Sequence, residues 1–241
     1  MQSNTLYNRK DVFHTPYNLR SKVSSCRYSI AGYPGLYLAT SLALCSEETK
    51  LQTLGDLTLA ARFELVRDQI ESGTNIQVIE LAVKPQDFLV NEVAENKDSH
   101  IEHSSSGRIF TEVDLSSAKV RSSYLCWYPL IAACSYIRVN KSDPFAAEYI
   151  IPQLLMQWIR TKFTQGELYG IRYFSSASVK ASDMGFNYMF PVSGEKYQHN
   201  SNFCDVLAKA FMLTQPKFIH EYKTIVACEI ALKEDHELHF I

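Results

Sequence analysis

Between residues 27 and 48 the chain runs RYSIAGYPGLYLATSLALCSEE, which gathers an arginine, three tyrosines and two adjacent glutamates. Arg27 carries a planar fork that holds phosphate or carboxylate oxygens in pairs and stays charged at any relevant pH. Tyr37 offers a flat face and a hydroxyl. Leu44 and Glu47 are three residues apart, and so are Cys45 and Glu48, so on a helix either pair shares one side. One of these carboxylates could therefore lie along the inward face. That position costs desolvation energy unless a cation or a ligand compensates it.

Other reactive side chains form weaker sets. His100, Glu102 and His103, and the pair His236 and His239, show i,i+3 histidine spacing, but structural zinc requires four ligands at defined separations. A nucleophile built on Cys26 needs a histidine that only the fold can bring to it. The glycines form neither GxGxxG nor GxxxxGK[ST], so neither dinucleotide-fold nor P-loop chemistry is indicated.

Several elements must position these groups. Arg27–Ile30 reads as a short strand, Gly32-Tyr33-Pro34-Gly35 as a turn and Leu36–Ala39 as a second strand. A helix enters at Thr40 or Ser41, with Ser41 suited to accept from its first free amides. Residues 57–67 are ambiguous between helix and strand. Ile76–Val83 is a strand ended by Lys84-Pro85. Residues 116–137 have helical length, with Pro129 as a kink or break. Glu148–Arg160 is a helix whose first turn tolerates Pro152. Leu168–Ser175 and Asn187–Val192 read as strands, Asn202–Phe211 as an amphipathic helix and Thr224–Leu232 as a closing strand. The class is α/β or α+β, with strands carrying the site.

Composition narrows the field. At 241 residues and 46% hydrophobic, without a Pro/Gly/Ser linker, the chain suits one large core. Residues 1–12 read as a flexible lead-in, 13–241 as a single domain, and the stretch near 92–108 as a polar loop. A net charge of −2 and a pI near 6.4 argue against direct nucleic-acid binding through bulk positive charge. No stretch suits a signal peptide or a membrane span. The six cysteines show no CxxC spacing and read as mostly buried, reduced thiols of a cytoplasmic protein.

The run RYS–I–GYPGLYLATS–EE, together with GIRYFSS ending near Ser175, resembles the RES domain, a bacterial family named for an arginine, a glutamate and a serine. The resemblance implies an ADP-ribosyltransferase-like fold, a mixed β core with surrounding helices. It implies an NAD-consuming toxin of a toxin–antitoxin pair, with a helix-turn-helix protein as its antitoxin. The reaction would cleave the nicotinamide–ribose bond by glycohydrolase, phosphorylase or ADP-ribosyl transfer chemistry. A non-catalytic binding module acting through antitoxin or repressor assembly is the alternative, and the oligomeric state is left open.

Carried over residue by residue, the family arginine falls on Arg27, its tyrosine on Tyr37, its glutamate on Glu48 with Glu47 as the alternative, and its serine on Ser175 with Ser176 beside it. In that reading Glu48 stabilises the oxocarbenium-like cation left when nicotinamide departs. Arg27 holds the pyrophosphate, Tyr37 stacks on nicotinamide, and Ser175 orients Glu48 or the ribose. Arg20 would assist Arg27 with a phosphate and His14 would contact the nucleotide, although a lone loop histidine is more often structural. NAD is the substrate and no metal is required.

Overall fold

The computed structural model describes residues 8–49, 58–66, 75–89, 117–140, 142–143, 145–161, 167–178, 180–192 and 202–219. Its centre is a four-stranded mixed sheet in the order β1 (Gly35–Ala39), β6 (Phe186–Pro191), β5 (Glu167–Phe174), β4 (Asn75–Leu81). β4 and β5 run parallel, whereas β1–β6 and β5–β6 are antiparallel. A parallel pair needs a long crossover. Here it contains the helices α2 (Ala118–Ser135) and α3 (Ile150–Thr161). Helices packed on a mixed sheet make this an α+β fold.

Register sorts the strands into two faces, because directly paired residues share a side and successive ones alternate. Tyr37 pairs with Met189, Met189 with Ile171, and Ile171 with Ile79. Two positions along lie Ala39, Asn187, Tyr173 and Leu81. This face meets Tyr124, Ile131 and Cys134 of α2 and Leu155, Met156 and Ile159 of α3 in one core cluster. Pro152, Leu155, Met156 and Ile159 are the buried stripe of α3, at helical spacing. The opposite face carries Leu36, Tyr188 and Phe190 into a second cluster with Phe63, Leu207, Phe211 and Leu213.

Several local expectations change. Arg27–Ile30 is a tight turn, not a strand: Cys26 N donates to Ser29 O (2.9 Å) and Ser29 N to Cys26 O (3.2 Å), leaving Arg27 and Tyr28 at the corner. The ambiguous 57–67 region holds two short strands, β2 (Thr58–Ala60) and β3 (Phe63–Leu65). Their partners are β8 (Lys217–Ile219) and β7 (Phe211–Leu213), some 150 residues away in sequence and invisible to local patterning. α4 (Asp205–Ala210) is shorter than expected because Phe211 starts β7.

α2 runs through Pro129 without ending, and Pro129 lies on the exposed side of the helix, where water can satisfy the carbonyl it leaves unpaired. Asn8 and Asp11 form a capping box on a 3₁₀ turn at Arg9–Val12, so ordered structure begins before Phe13. The expected pattern of mostly buried thiols is also corrected. Cys26, Cys45 and Cys126 are exposed, Cys134 and Cys204 are buried, and none of the five forms a disulfide. Cys45 and Cys126 lie on the outer sides of their helices, where an apolar neighbourhood in sequence does not mean burial. The strand expected at Thr224–Leu232, the 92–108 loop, Cys228, and the histidines at 100, 103, 236 and 239 lie outside the described residues. No helix among the described residues is long and apolar enough to cross a membrane.

Candidate functional site

The loop ahead of β1 is fastened before it presents anything. Gly32, at φ 83, takes a backbone conformation open to glycine, and Tyr33 N closes the turn on Ile30 O at 3.0 Å. Gln153 of α3 places its amide nitrogen against Ser25 Oγ (2.8 Å), Cys26 O (2.9 Å) and Ser29 O (3.2 Å), pinning the corner that bears Arg27. Tyr28 is buried and packs against Tyr173, ring centroids 4.7 Å apart.

Arg27 lies over the C-terminal end of α2. Its Nη1 donates to Cys134 O (3.0 Å) and Tyr136 O (2.9 Å), a cation on carbonyls that the helix leaves unpaired. The Nε–Nη2 edge has no hydrogen-bond partner among the described residues. The guanidinium also stands 5.1 Å from the Tyr149 ring centroid. Tyr37 is joined to the buried Ser29, hydroxyl to hydroxyl at 2.7 Å, while 39% of its surface stays open. Burial around that hydroxyl pushes the Tyr37 phenol up, opposed by the Ser29 bond.

α1 (Leu42–Thr49) is capped by Ser41, whose Oγ accepts from Leu44 N at 3.1 Å. Glu48 falls in its last turn, where the helix dipole disfavours a negative charge. Two neutral donors compensate. Ser175 Oγ reaches Glu48 Oε1 at 2.7 Å and Asn187 Nδ2 reaches the same oxygen at 2.6 Å. Ser175 Oγ itself accepts from Ala177 N at 3.1 Å, which fixes the hydroxyl so that its proton points to Glu48. Both donors are buried, at 1% and 3% exposed, whereas Glu48 is exposed. One carboxylate oxygen is thus anchored and the other is left without a partner among the described residues.

Tyr173 ties these groups into one neighbourhood. Burial pushes its phenol far up; Tyr37, Glu48 and Tyr28 push it further, and Arg27 opposes them. Arg27, Tyr37, Glu48 and Ser175 therefore converge on one end of the sheet face that carries Tyr173 and Asn187. Glu47 makes no such hydrogen bond among the described residues, and Ser176 lies beyond the donor that Glu48 uses. Gln153, Asn187, Ser29 and Tyr173 belong to the same assembly and were not singled out by sequence. Asn187 had a usable signal, a polar residue opening a strand otherwise apolar.

His14 and Arg20 stand apart. His14 is buried between Phe13 and Phe203, with Nδ1 donating to Thr15 O (2.9 Å) and Nε2 accepting from Cys204 N (2.9 Å). Both ring nitrogens are occupied, so the expected nucleotide contact gives way to a packing role. Arg20 is exposed in the 3₁₀ segment Tyr17–Lys22, and its side chain has no hydrogen bond or ion pair among the described residues, to Arg27 or otherwise. No cluster of three or more His, Cys, Asp or Glu side chains suited to a metal occurs among the described residues.

No protein-family model matches the chain, and no solved structure does. Over 220 residues the chain is 31% identical to a protein of Bacillus subtilis (strain 168) named "Putative toxin YopC". The alignment covers 89% of this chain and 44% of that protein, so the chain spans less than half the length of the curated relative it matches.

Proposed function

We propose that this chain is an NAD-consuming enzyme of the RES type, with an ADP-ribosyltransferase-like arrangement of its core, and that it acts as a cytoplasmic toxin held in check by a helix-turn-helix antitoxin. The observation that carries the reading is the grip on Glu48: two buried neutral donors on Oε1, and an Oε2 without a partner among the described residues, on the sheet face that carries Tyr37, Tyr173 and Asn187. Neutral donors orient a carboxylate without cancelling its charge, which is what stabilising a developing cation requires. The likeness to a protein named as a toxin supports the biological role.

In the reaction the bond between ribose C1′ and the nicotinamide nitrogen breaks, and its electron pair leaves with nicotinamide, which becomes neutral. Glu48 faces the positive charge left on the ribosyl group. The open edge of Arg27 takes pyrophosphate oxygens and Tyr37 stacks on the departing ring. An oxygen of water, phosphate or a protein side chain then adds to C1′ and loses its proton. A non-catalytic module acting through antitoxin or repressor assembly is the second reading. It is favoured by the Nη1 bonds of Arg27 to α2, which give that residue a structural role of its own.

Purified protein, freed of any partner and incubated with NAD in EDTA, is expected to release nicotinamide, read by mass. Repeating the assay with phosphate identifies the acceptor. No release above a blank, in EDTA or with added divalent metal, removes the enzymatic reading and leaves the module.

A further inference from the structure

Beside Arg27 stands a second arginine that the site as described does not use. Arg138, just past the end of α2, lies over the same Tyr149 ring, its guanidinium carbon 5.7 Å from the centroid that Arg27 approaches to 5.1 Å. Its Nε donates to Asn140 O at 3.1 Å and its Nη2 to Asp143 O, which fixes the side chain and leaves Nη1 without a hydrogen-bond partner among the described residues. Arg27 itself belongs to the site, so the pair borders it.

Two cations drawn to one ring repel each other, and a countercharge in contact would relieve that. Arg172 has one in Glu80 at 3.2 Å and Arg62 has one in Glu64 at 3.2 Å. Among the described residues neither Arg27 nor Arg138 has a carboxylate within ion-pair distance. Glu148 is near enough for both arginines to help hold its carboxyl below the usual range, after its backbone hydrogen bonds. Yet Glu148 Oε1 accepts from Val139 N at 3.2 Å, not from a guanidinium. One anion thus faces two cations, and both cations keep donors to spare.

From this geometry we infer that Arg27 and Arg138, braced on Tyr149, form a two-armed site for a diphosphate, which selects nucleoside diphosphate esters and dinucleotides over nucleoside monophosphates. Each arm takes one phosphate, and the carbonyl bonds that fix both side chains in advance lower the ordering cost of binding. The inference deepens the NAD-cleaving reading and rests on it for the adenine-nucleotide class of the ligand.

The test is calorimetric titration of the whole chain with ADP-ribose and with AMP at one fixed salt concentration. Both ligands carry about two negative charges near neutral pH, so a difference between them reports geometry and not charge. Wild-type protein is expected to bind ADP-ribose at least about 10-fold more tightly than AMP. Arg138→Met should weaken ADP-ribose by about 10-fold and leave AMP within about twofold, with Arg138→Lys between.

Equal weakening of both ligands by Arg138→Met, or none, overturns the inference. Should that variant lose its fold by circular dichroism, the wild-type ratio decides alone: ADP-ribose binding no tighter than AMP rejects the two-armed site. Selective binding without NAD cleavage would remove the proposed reaction and keep the diphosphate site. Cleavage with unselective binding would do the reverse.

Discussion

Glu48 and Glu80 are glutamates on opposite sides of one sheet, and their company differs in kind. Glu80 sits on β4 with its side chain 3% exposed, Oε2 at 3.2 Å from Arg172 Nε and Oε1 accepting from Ala82 N at 2.7 Å. Arg172 lies over the Phe186 ring at 4.2 Å, and its side chain is 5% exposed. Burial pushes the Glu80 carboxyl up while Arg172 pulls it back. Such a pair is closed to a ligand, because each charge already has its partner. Glu48 is instead steadied by Ser175 and Asn187, which bring hydrogen bonds and no charge. A carboxylate intended for a cation in transit has to be held in this second way.

The comparison is broken most forcefully at Glu80. Glu80→Gln strands Arg172 in the interior and should cost roughly 3–5 kcal/mol in denaturant unfolding, since removing one member of a buried pair leaves an uncompensated charge. Replacing both residues with apolar ones of similar volume should be near neutral. A loss below about 0.5 kcal/mol for the single variant, the range of a surface substitution, would show the pair is not enclosed as described.

Loosening the other carboxylate should act on turnover. Ser175→Ala removes one of the two donors to Glu48 Oε1 and should lower kcat for NAD cleavage by about 10-fold or more, the usual worth of a hydrogen bond to a charged group. Unfolding stability should move far less than with Glu80→Gln. Unchanged kcat would mean that the grip on Glu48 does not matter to the chemistry.

Arg27→Lys keeps the charge and loses the fork, so KM for NAD should rise several-fold, about the loss of one bidentate contact. Because Nη1 also caps α2, the variant should melt somewhat earlier than wild type. A normal KM removes the phosphate role and leaves only the cap.

The smallest effect is a pH dependence at His14. Burial holds its imidazole below the ordinary value of 6.5. The unfolded chain therefore takes up a proton at a pH where the folded chain resists it. The stability this group contributes is whole above about pH 6.5 and is lost as pH falls from there toward the folded pKa. His14→Gln, which retains an acceptor for Cys204 N, should flatten the melting temperature across that interval. An unchanged slope would place the titration elsewhere.

What the sequence made legible was local. The helix entry at Ser41, the β1 turn with Gly32, and the strands around Gly170 and Tyr188 follow from patterns within a few residues, and the structure has them. The strand expected at Arg27–Ile30 turned into a corner because Ser29 turns back on Cys26 and on Gln153, which is 124 residues away in sequence. β2 and β3 stayed ambiguous for the same reason, since their partners lie near the far end of the described chain. Asn187 and Tyr173 escaped notice because strand register alone decides that they face Glu48. A resemblance can supply addresses for Arg27, Tyr37, Glu48 and Ser175. It cannot supply the second donor, or the carbonyls that occupy half of Arg27.

Glu48→Gln and Glu47→Gln, measured side by side for steady-state NAD cleavage after each is shown to be folded, test the central claim most directly. Glu48→Gln keeps the shape and removes the charge. It should lower kcat by about 100- to 1000-fold with KM little changed, because the lost contact matters most once the cation develops. Glu47→Gln should stay within about twofold of wild type, because Glu47 does not take the Ser175 and Asn187 hydrogen bonds that hold Glu48. A retained kcat in Glu48→Gln, or the opposite ranking of the two variants, would contradict the account.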